Sequence, residues 1–450
     1  VLTYLRLPLF LCALAGWALI ALPSPALAGE TVPIEEFNAL KDRVAELEAL
    51  LLRGQGGAAT PAPQAAAAPV AVEQKVEAPS EGETVAVAAT EEEAETTDHL
   101  KVGGALRMNY TYNDDDRWHE DGKEKGGDFK FDLFRLDVNG SYNDVQLSAQ
   151  YRFMEDQHFI HHGWLGYNLS DETGVQLGLT QVPFGLLPYA SHNFWFGLPY
   201  YLGLEDDYDL GLKLLHQNGP WDLQLAFFKN ADFGNASDLE RYSYDIVKEG
   251  DQQNEESNQI NARLAYRLDH GDLGNTEFGV SGQWGQLYNG DTGRNGDHWA
   301  AAAHVNGTYG PFNLMLEAIE YEHNPKNPAG VSDKTVRMGA FGWGHDVAAK
   351  GTVYVAGLSY DVPVSWGPVS KLTFYNDYSR LVKAEEDFED SEINTLGCLV
   401  TAGPVYTYID FIMGKNATWI GSIGEDGFGA GRHRDEGWNT KFNINVGYYF

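Results

Sequence analysis

The chain has little cysteine and little base, and past its first 28 residues it has no long apolar run; each shortage closes off a class of protein. Only two cysteines occur in 450 residues. Cys12 lies in the N-terminal apolar stretch behind Phe10 and Leu11, without the small residue that precedes a lipidated cysteine, so loss of that stretch leaves Cys398 as the single thiol. One thiol forms no internal disulfide, and without a histidine cluster at ligand spacing the sequence shows no metal site and asks for no cofactor. Lys and Arg total 31 against 65 Asp and Glu, a formal net charge of −34. That balance excludes a nucleic-acid partner, whose phosphates need basic patches. A membrane-spanning helix takes about 20 apolar residues, and no stretch beyond residue 28 supplies them, so any insertion into a bilayer must use strands.

The first 100 residues read as three successive segments. Arg6, the apolar run Leu7 to Leu22, and the small-residue site Ala26-Leu27-Ala28 have the layout of a secretory signal peptide over residues 1–28, with Pro23 and Pro25 ending the run too early for an anchor. Residues 30–53 contain Phe37, Leu40, Val44, Leu47 and Leu51, alternately three and four apart, which is a short heptad seam. Two to three heptads are marginal alone, so the segment is expected to pair with copies of itself, most naturally as a homotrimer; a lone amphipathic helix is the alternative. Residues 54–100 turn to Ala, Pro, Gly, Val and Glu, including Ala65 to Ala68 and Glu91 to Glu93, and read as a flexible linker that cannot bury enough apolar surface to order itself.

From Lys101 to Phe450 the dominant signal is alternation with period two. Leu106, Met108, Tyr110 and Tyr112 share one face while Arg107, Asn109 and Thr111 share the other; Val145 to Phe153, Ile260 to Leu268 and Phe442 to Phe450 divide in the same way. A soluble sandwich alternates too, but here connectors alternate as well. Short ones near residues 139–144, 170–174, 217–220, 269–275, 310–311 and 403–404 lie between long ones at 113–128, 183–208, 230–257, 324–351 and 415–436. Short turns at one end and long loops at the other are the layout of an all-β transmembrane antiparallel barrel, here of about 16 strands. An even count brings both barrel ends to the periplasmic side, and Tyr309, Tyr360 and Tyr448 suit interfacial girdles. The terminal Tyr448-Tyr449-Phe450 resembles the C-terminal aromatic signal of outer-membrane barrels.

Two stretches carry a closer likeness. Gly178-Leu-Thr-Gln-Val-Pro-Phe-Gly185 and Leu204-Glu-Asp-Asp-Tyr-Asp-Leu-Gly211 resemble elements of the phosphate-selective porin O and P family, flanking its third loop. The resemblance implies a sixteen-stranded trimeric outer-membrane porin whose third loop folds inward and narrows the pore. Family members selective for phosphate place lysines around that constriction, whereas residues 183–208 contain no Lys or Arg, a departure that argues against strict phosphate selectivity.

A porin needs a wet lumen, a constriction and a charge pattern rather than a catalytic group. With the apolar face toward lipid, Arg107, Arg135, Arg152, Lys213, Arg263, Arg267 and Lys441 are expected to line the pore, because charge on the lipid face costs about 2–4 kcal/mol at the midplane. Glu277, Glu317, Asp377 and Asp410 are the candidate inward acids, and the constriction loop is expected to present Pro183, Phe184, Gly185, Phe194, Trp195, Tyr200 and Tyr201, as anchors or as a surface for a planar or sugar-like solute. Acidic clusters at 114–116, 205–207, 255–256 and 385–390 read as solvated outer loops, or as bridges to lipopolysaccharide through divalent cations. His161 and His162, adjacent on a strand, should face opposite ways, and no G-x-S-x-G turn marks a nucleophile. The expected function is therefore passive diffusion of small hydrophilic solutes, with anions such as phosphate weakly preferred. The alternative is a structural protein that tethers the outer membrane through its periplasmic coiled coil.

Overall fold

The structure, a computed structural model, describes residues 99–113, 126–420, 426–431 and 437–450. The expected signal peptide, coiled coil and most of the linker, together with the 114–116 acids, lie outside the described residues. Sixteen strands form the barrel wall: β1 (His99–Asn113), β2 (Asp128–Tyr142), β3 (Val145–Phe153), β4 (His158–Ser170), β5 (Thr173–Gln181), β6 (Tyr208–Asn218), β7 (Trp221–Asn230), β10 (Gln252–Asp269), β11 (Asn275–Asn289), β12 (Arg294–Tyr309), β13 (Phe312–Asn324), β16 (Lys350–Trp366), β17 (Val369–Lys383), β18 (Ser391–Ala402), β19 (Val405–Lys415) and β20 (Asn439–Tyr449). Each pairs antiparallel with its neighbours in this order. The ring closes where β1 meets β20, with Ala105 opposite Tyr449 and Asn113 opposite Lys441. Beyond the ladder the Gly104 and Phe450 backbones exchange two further hydrogen bonds at 2.8 and 3.0 Å. Closure removes the unpaired edges that an open sheet would carry into lipid.

Seven tight connections occupy one end, including a Gly367-Pro368 turn that joins those anticipated from the sequence. The other end carries loops L1 (114–127), L2 (154–157), L3 (182–207), L4 (231–251), L5 (290–293), L6 (325–349), L7 (384–390) and L8 (416–438). The expected alternation of short and long is not strict, because L2 and L5 are four-residue connections. Nor are L4 and L6 structureless. β8 (Asp245–Ile246) in L4 pairs with a hairpin of L6 formed by β14 (Thr335–Ala340) and β15 (Trp343–Ala348), while β9 (Lys248–Glu249) pairs antiparallel with the start of β10.

The period-two reading of the faces holds along β1, β3, β10 and β20. Arg107, Gln150, Arg152, Asn261, Arg263, Asn443 and Asn445 are buried inside, whereas Leu106, Leu147, Phe153, Ile260, Leu264 and Val446 are exposed on the outer face. Leu165, Leu177 and Leu212 lie side by side across β4, β5 and β6 in an apolar belt. Near the turns, Tyr309, Phe312 and Tyr360 stand in register and Phe312 packs on Tyr360 at 4.7 Å between ring centroids. This outward surface is compatible with hydrocarbon bounded by an aromatic rim, and in water it would be a large unprotected apolar patch.

The largest apolar cluster is inside, beneath the loops. Tyr200, Tyr201 and Leu204 of L3, Tyr242, Tyr244 and Ile246 of L4, Val336, Met338 and Val347 of L6, and Phe428 of L8 are buried together. Long loops that would be floppy singly thus share one core. Replacing Leu177, which is 63% exposed on the outer face, by Arg should cost about 2–4 kcal/mol in denaturant unfolding of the protein in lipid vesicles. Unchanged stability would place that face out of the hydrocarbon.

Candidate pore and its constriction

L3 leaves β5 and returns to β6, yet its hydrogen bonds are made on the far side of the lumen. Several wall strands receive it. On β11, Ser281 Oγ accepts the Gly185 N–H at 2.8 Å, and on β13, Glu317 Oε1 accepts the Leu186 N–H at 3.0 Å. On β17, half-way round the sixteen-strand ring from β5, Asp377 accepts the N–H groups of His192 and Asn193, the Asn193 amide and His192 Nδ1, at 2.7–3.1 Å. Ser379 Oγ accepts the Leu198 N–H at 3.0 Å where the short helix α1 (Leu198–Tyr201) begins. A loop held in a lumen must find partners for its backbone donors, and the inward acids of the wall supply them. Burial disfavours charge on His192, but its bonds to Asp377 and to Asn313 Oδ1 outweigh this and raise its pKa above the ordinary histidine value.

Gly185 shows how close the fit is. It has φ +60°, and a Cβ there would lie 2.1 Å from Glu317 Oε1. Arg263 Nε donates to the Gly185 carbonyl at 2.9 Å and Lys213 Nζ to the Gln181 carbonyl at 2.9 Å. Pro183, Phe184 and Gly185 therefore act as the anchored root of L3 and line neither cavity described below. Tyr200 and Tyr201 do both jobs. They are buried against Tyr244, and they also reach the cavity together with Phe194, Trp195 and Phe196.

All seven basic residues expected in the pore lie on the inward set, but in two groups. On the loop side of L3 is a cavity of about 410 Å³ with Arg107, Lys130, Arg152 and Lys441 on one wall and Asp128 and Asp132 as its acids, an excess of two positive charges. Across from them stand Phe194, Trp195, Phe196, Tyr200, Tyr242, Tyr244, Phe341 and Trp419. Cation and ring meet directly: Lys441 Nζ lies 3.4 Å from the Trp195 ring centroid, the Arg152 guanidinium 4.3 Å from Tyr242 and the Arg107 guanidinium 5.1 Å from Phe194. Arg135 lies behind this wall, bonded to Asp137 at 3.0 Å and facing Tyr449.

On the turn side is a second cavity of about 490 Å³, where Lys213, Arg263 and Arg267 meet Glu172, Asp222, Asp269 and Glu277. Arg263 is fully engaged there, with Asp222 at 3.0 Å and Glu277 at 2.6 Å, whereas Arg267 is 65% exposed at the rim. The expected basic lumen is thus basic on the loop side of L3 only.

With this geometry in view, the chain is similar to an anion-selective porin from Comamonas acidovorans, at 14% identity and a TM-score of 0.50 over 79% of this chain and 100% of that one. It is equally similar to the outer membrane channel DcaP of Acinetobacter baumannii, at 12% identity and a TM-score of 0.50 over 79% of this chain and 99% of that one. The fold is that of a porin. Identities this low speak for the fold alone; no family model matches the chain, and no curated protein matches its sequence.

Two expectations need correction. Glu205, Asp206 and Asp207 do not form a solvated outer surface: they are 5%, 2% and 7% exposed, because L3 turns inward and carries them with it. Glu205 accepts the Ala190 N–H, and Asp206, at φ +48°, accepts the Tyr242 hydroxyl. His161 and His162 do not face opposite ways. A bulge opposite Gln150 and Tyr151 shifts the register, and the two imidazoles touch through Nδ1 atoms 2.9 Å apart. Lys130 was legible but overlooked: it alternates with the outward Phe129 and Phe131. The loop aromatics Tyr242, Tyr244, Phe341 and Trp419 gave no such sign, since no periodicity governs loops.

Asp377→Ala would leave the buried donors of His192 and Asn193 unpaired, at about 1–3 kcal/mol each. We expect single-channel currents larger and noisier than wild type; unchanged currents would mean that L3 is held elsewhere. The His192 contribution is present below the ordinary histidine pKa and is lost as pH rises through its raised value, so wild-type noise should grow on the alkaline side of that value.

Proposed function

We propose that this chain is an outer-membrane porin for passive diffusion of small hydrophilic solutes, with a weak preference for anions. The observation that carries the reading is the loop-side cavity, where four cations on one wall outnumber two acids while the acids of the opposite wall are occupied in holding L3. An anion entering it meets Arg107, Lys130, Arg152 and Lys441 without displacing the loop. Phosphate is among the solutes, in line with the resemblance of residues 178–185 and 204–211 to phosphate-selective porins. L3 brings no cation to the constriction, so nothing encircles a dehydrated phosphate and selectivity stays modest. The aromatic half of the lining gives organic anions a flat surface that phosphate cannot use.

The apolar outer belt and aromatic rim support insertion in the outer membrane. Export by residues 1–28, trimer formation aided by residues 30–53, and contact of the rim with lipid and lipopolysaccharide complete the proposal. The test is the zero-current potential across a planar bilayer under a salt gradient. Wild type should reverse on the anion side, and replacing Arg107, Arg152 and Lys441 together by Gln should move the potential to the cation side. A wild-type potential of cation sign, or a triple variant indistinguishable from wild type, would contradict the preference; no conductance from folded protein would contradict the channel.

A further inference from the structure

Where L3 ends and L4 begins, the wall holds more negative charge than its neighbours can neutralise. Asp207 closes L3, Asp209 is the second residue of β6, and Asp232 and Asp245 belong to L4. The cluster's cation is Arg241, and it is spoken for. Its Nη1 bridges Asp232 at 3.0 Å and Asp245 at 3.1 Å, while Nε and Nη2 donate to the carbonyls of Asp238 and Asn235. Neither of these ion pairs reaches Asp207 or Asp209.

The three carboxylates of Asp207, Asp209 and Asp245 each offer an oxygen, and these oxygens all lie within 4.8 Å of one another. They are buried, with exposures of 7%, 1% and 1%. Asp209 uses its Oδ2 on the Gln259 amide at 3.0 Å. Its Oδ1, together with Asp207 Oδ1 and Asp232 Oδ2, has no hydrogen-bond partner. Buried carboxylate oxygens without a donor are costly.

Oxygen donors alone, with no imidazole or thiolate among them, suit a hard cation, and buried anionic oxygens this close favour a doubly charged one. We propose that Asp207, Asp209 and Asp245 bind a divalent cation, calcium above magnesium, which clasps the end of L3 to L4. Calcium takes six to eight oxygens at about 2.3–2.6 Å in irregular geometry, so three carboxylates and waters suffice, whereas magnesium demands a stricter octahedron. The ion would fix the return of L3 into β6 as Asp377 fixes its middle. The proposal is independent of which solutes the pore conducts.

The test uses the full folded chain, stripped with chelator and titrated calorimetrically with calcium chloride alone. We expect saturable binding of one ion per chain, a rise of the thermal midpoint with calcium, and weaker binding of magnesium. Asp207→Asn and Asp209→Asn should each weaken calcium by about tenfold or more, since affinity follows ligand charge, while Glu385→Gln, on L7, should not. If a variant fails to fold, the wild-type midpoint decides, because an ion bound only by the native state must raise it. Absence of saturable binding with no calcium-dependent midpoint, or folded variants that bind as wild type does, would overturn the site.

Discussion

The interior of the barrel is organised by a loop hung across it by the carboxylates of the opposite wall. Asp377 holds His192 and Asn193, and Glu317 holds Leu186. A loop brought into a lumen loses water from its backbone amides, and unless the wall returns those hydrogen bonds it springs back out. The acids of β13 and β17 are therefore occupied from within. Arg107, Lys130, Arg152 and Lys441, on β1, β2, β3 and β20, line the cavity on the loop side of L3. Asymmetry of hydrogen bonding thus becomes asymmetry of charge, and in a chain of net charge −34 the loop-side cavity holds four bases against two acids.

Two apolar surfaces with different solvents sustain this arrangement. The outer one is a belt of Leu, Val and Phe that lipid can cover; the inner one is the cluster of L3, L4, L6 and L8 under the loops. The second matters more to function. Tyr200 and Tyr201 are packed on Tyr244, and His345 of the L6 hairpin contacts the Tyr201 carbonyl at 3.0 Å, so the aromatic edge of the cavity is backed by a core. The rings facing Arg107, Arg152 and Lys441 are held in place rather than draped there.

Much of the wall could be read from the sequence because a strand exposes its environment residue by residue. Arg152 between Tyr151 and Phe153, or Asn443 between Phe442 and Ile444, states its side of the sheet without any knowledge of the partner strand. The position of L3 followed from a family likeness at residues 178–185 and not from physics. What stayed hidden had no local signature. The inward turn of Glu205 to Asp207, the bulge that brings His161 to His162, and the meeting of Asp207 and Asp209 with Asp245 all depend on how distant loops fold together. Among those residues the charges were visible and only their surroundings were not.

The claim that solute passes between the basic wall and the aromatic edge of L3 can be tested most directly by placing a thiol on that edge. In a Cys398→Ser background, Trp195→Cys would be exposed to small anionic and cationic thiol reagents while current through single channels is recorded. The account predicts faster reaction with the anionic reagent and a stepwise fall in current as each site is modified. A thiol that reacts with neither, or modification that leaves the current unchanged, would put the conduction path elsewhere.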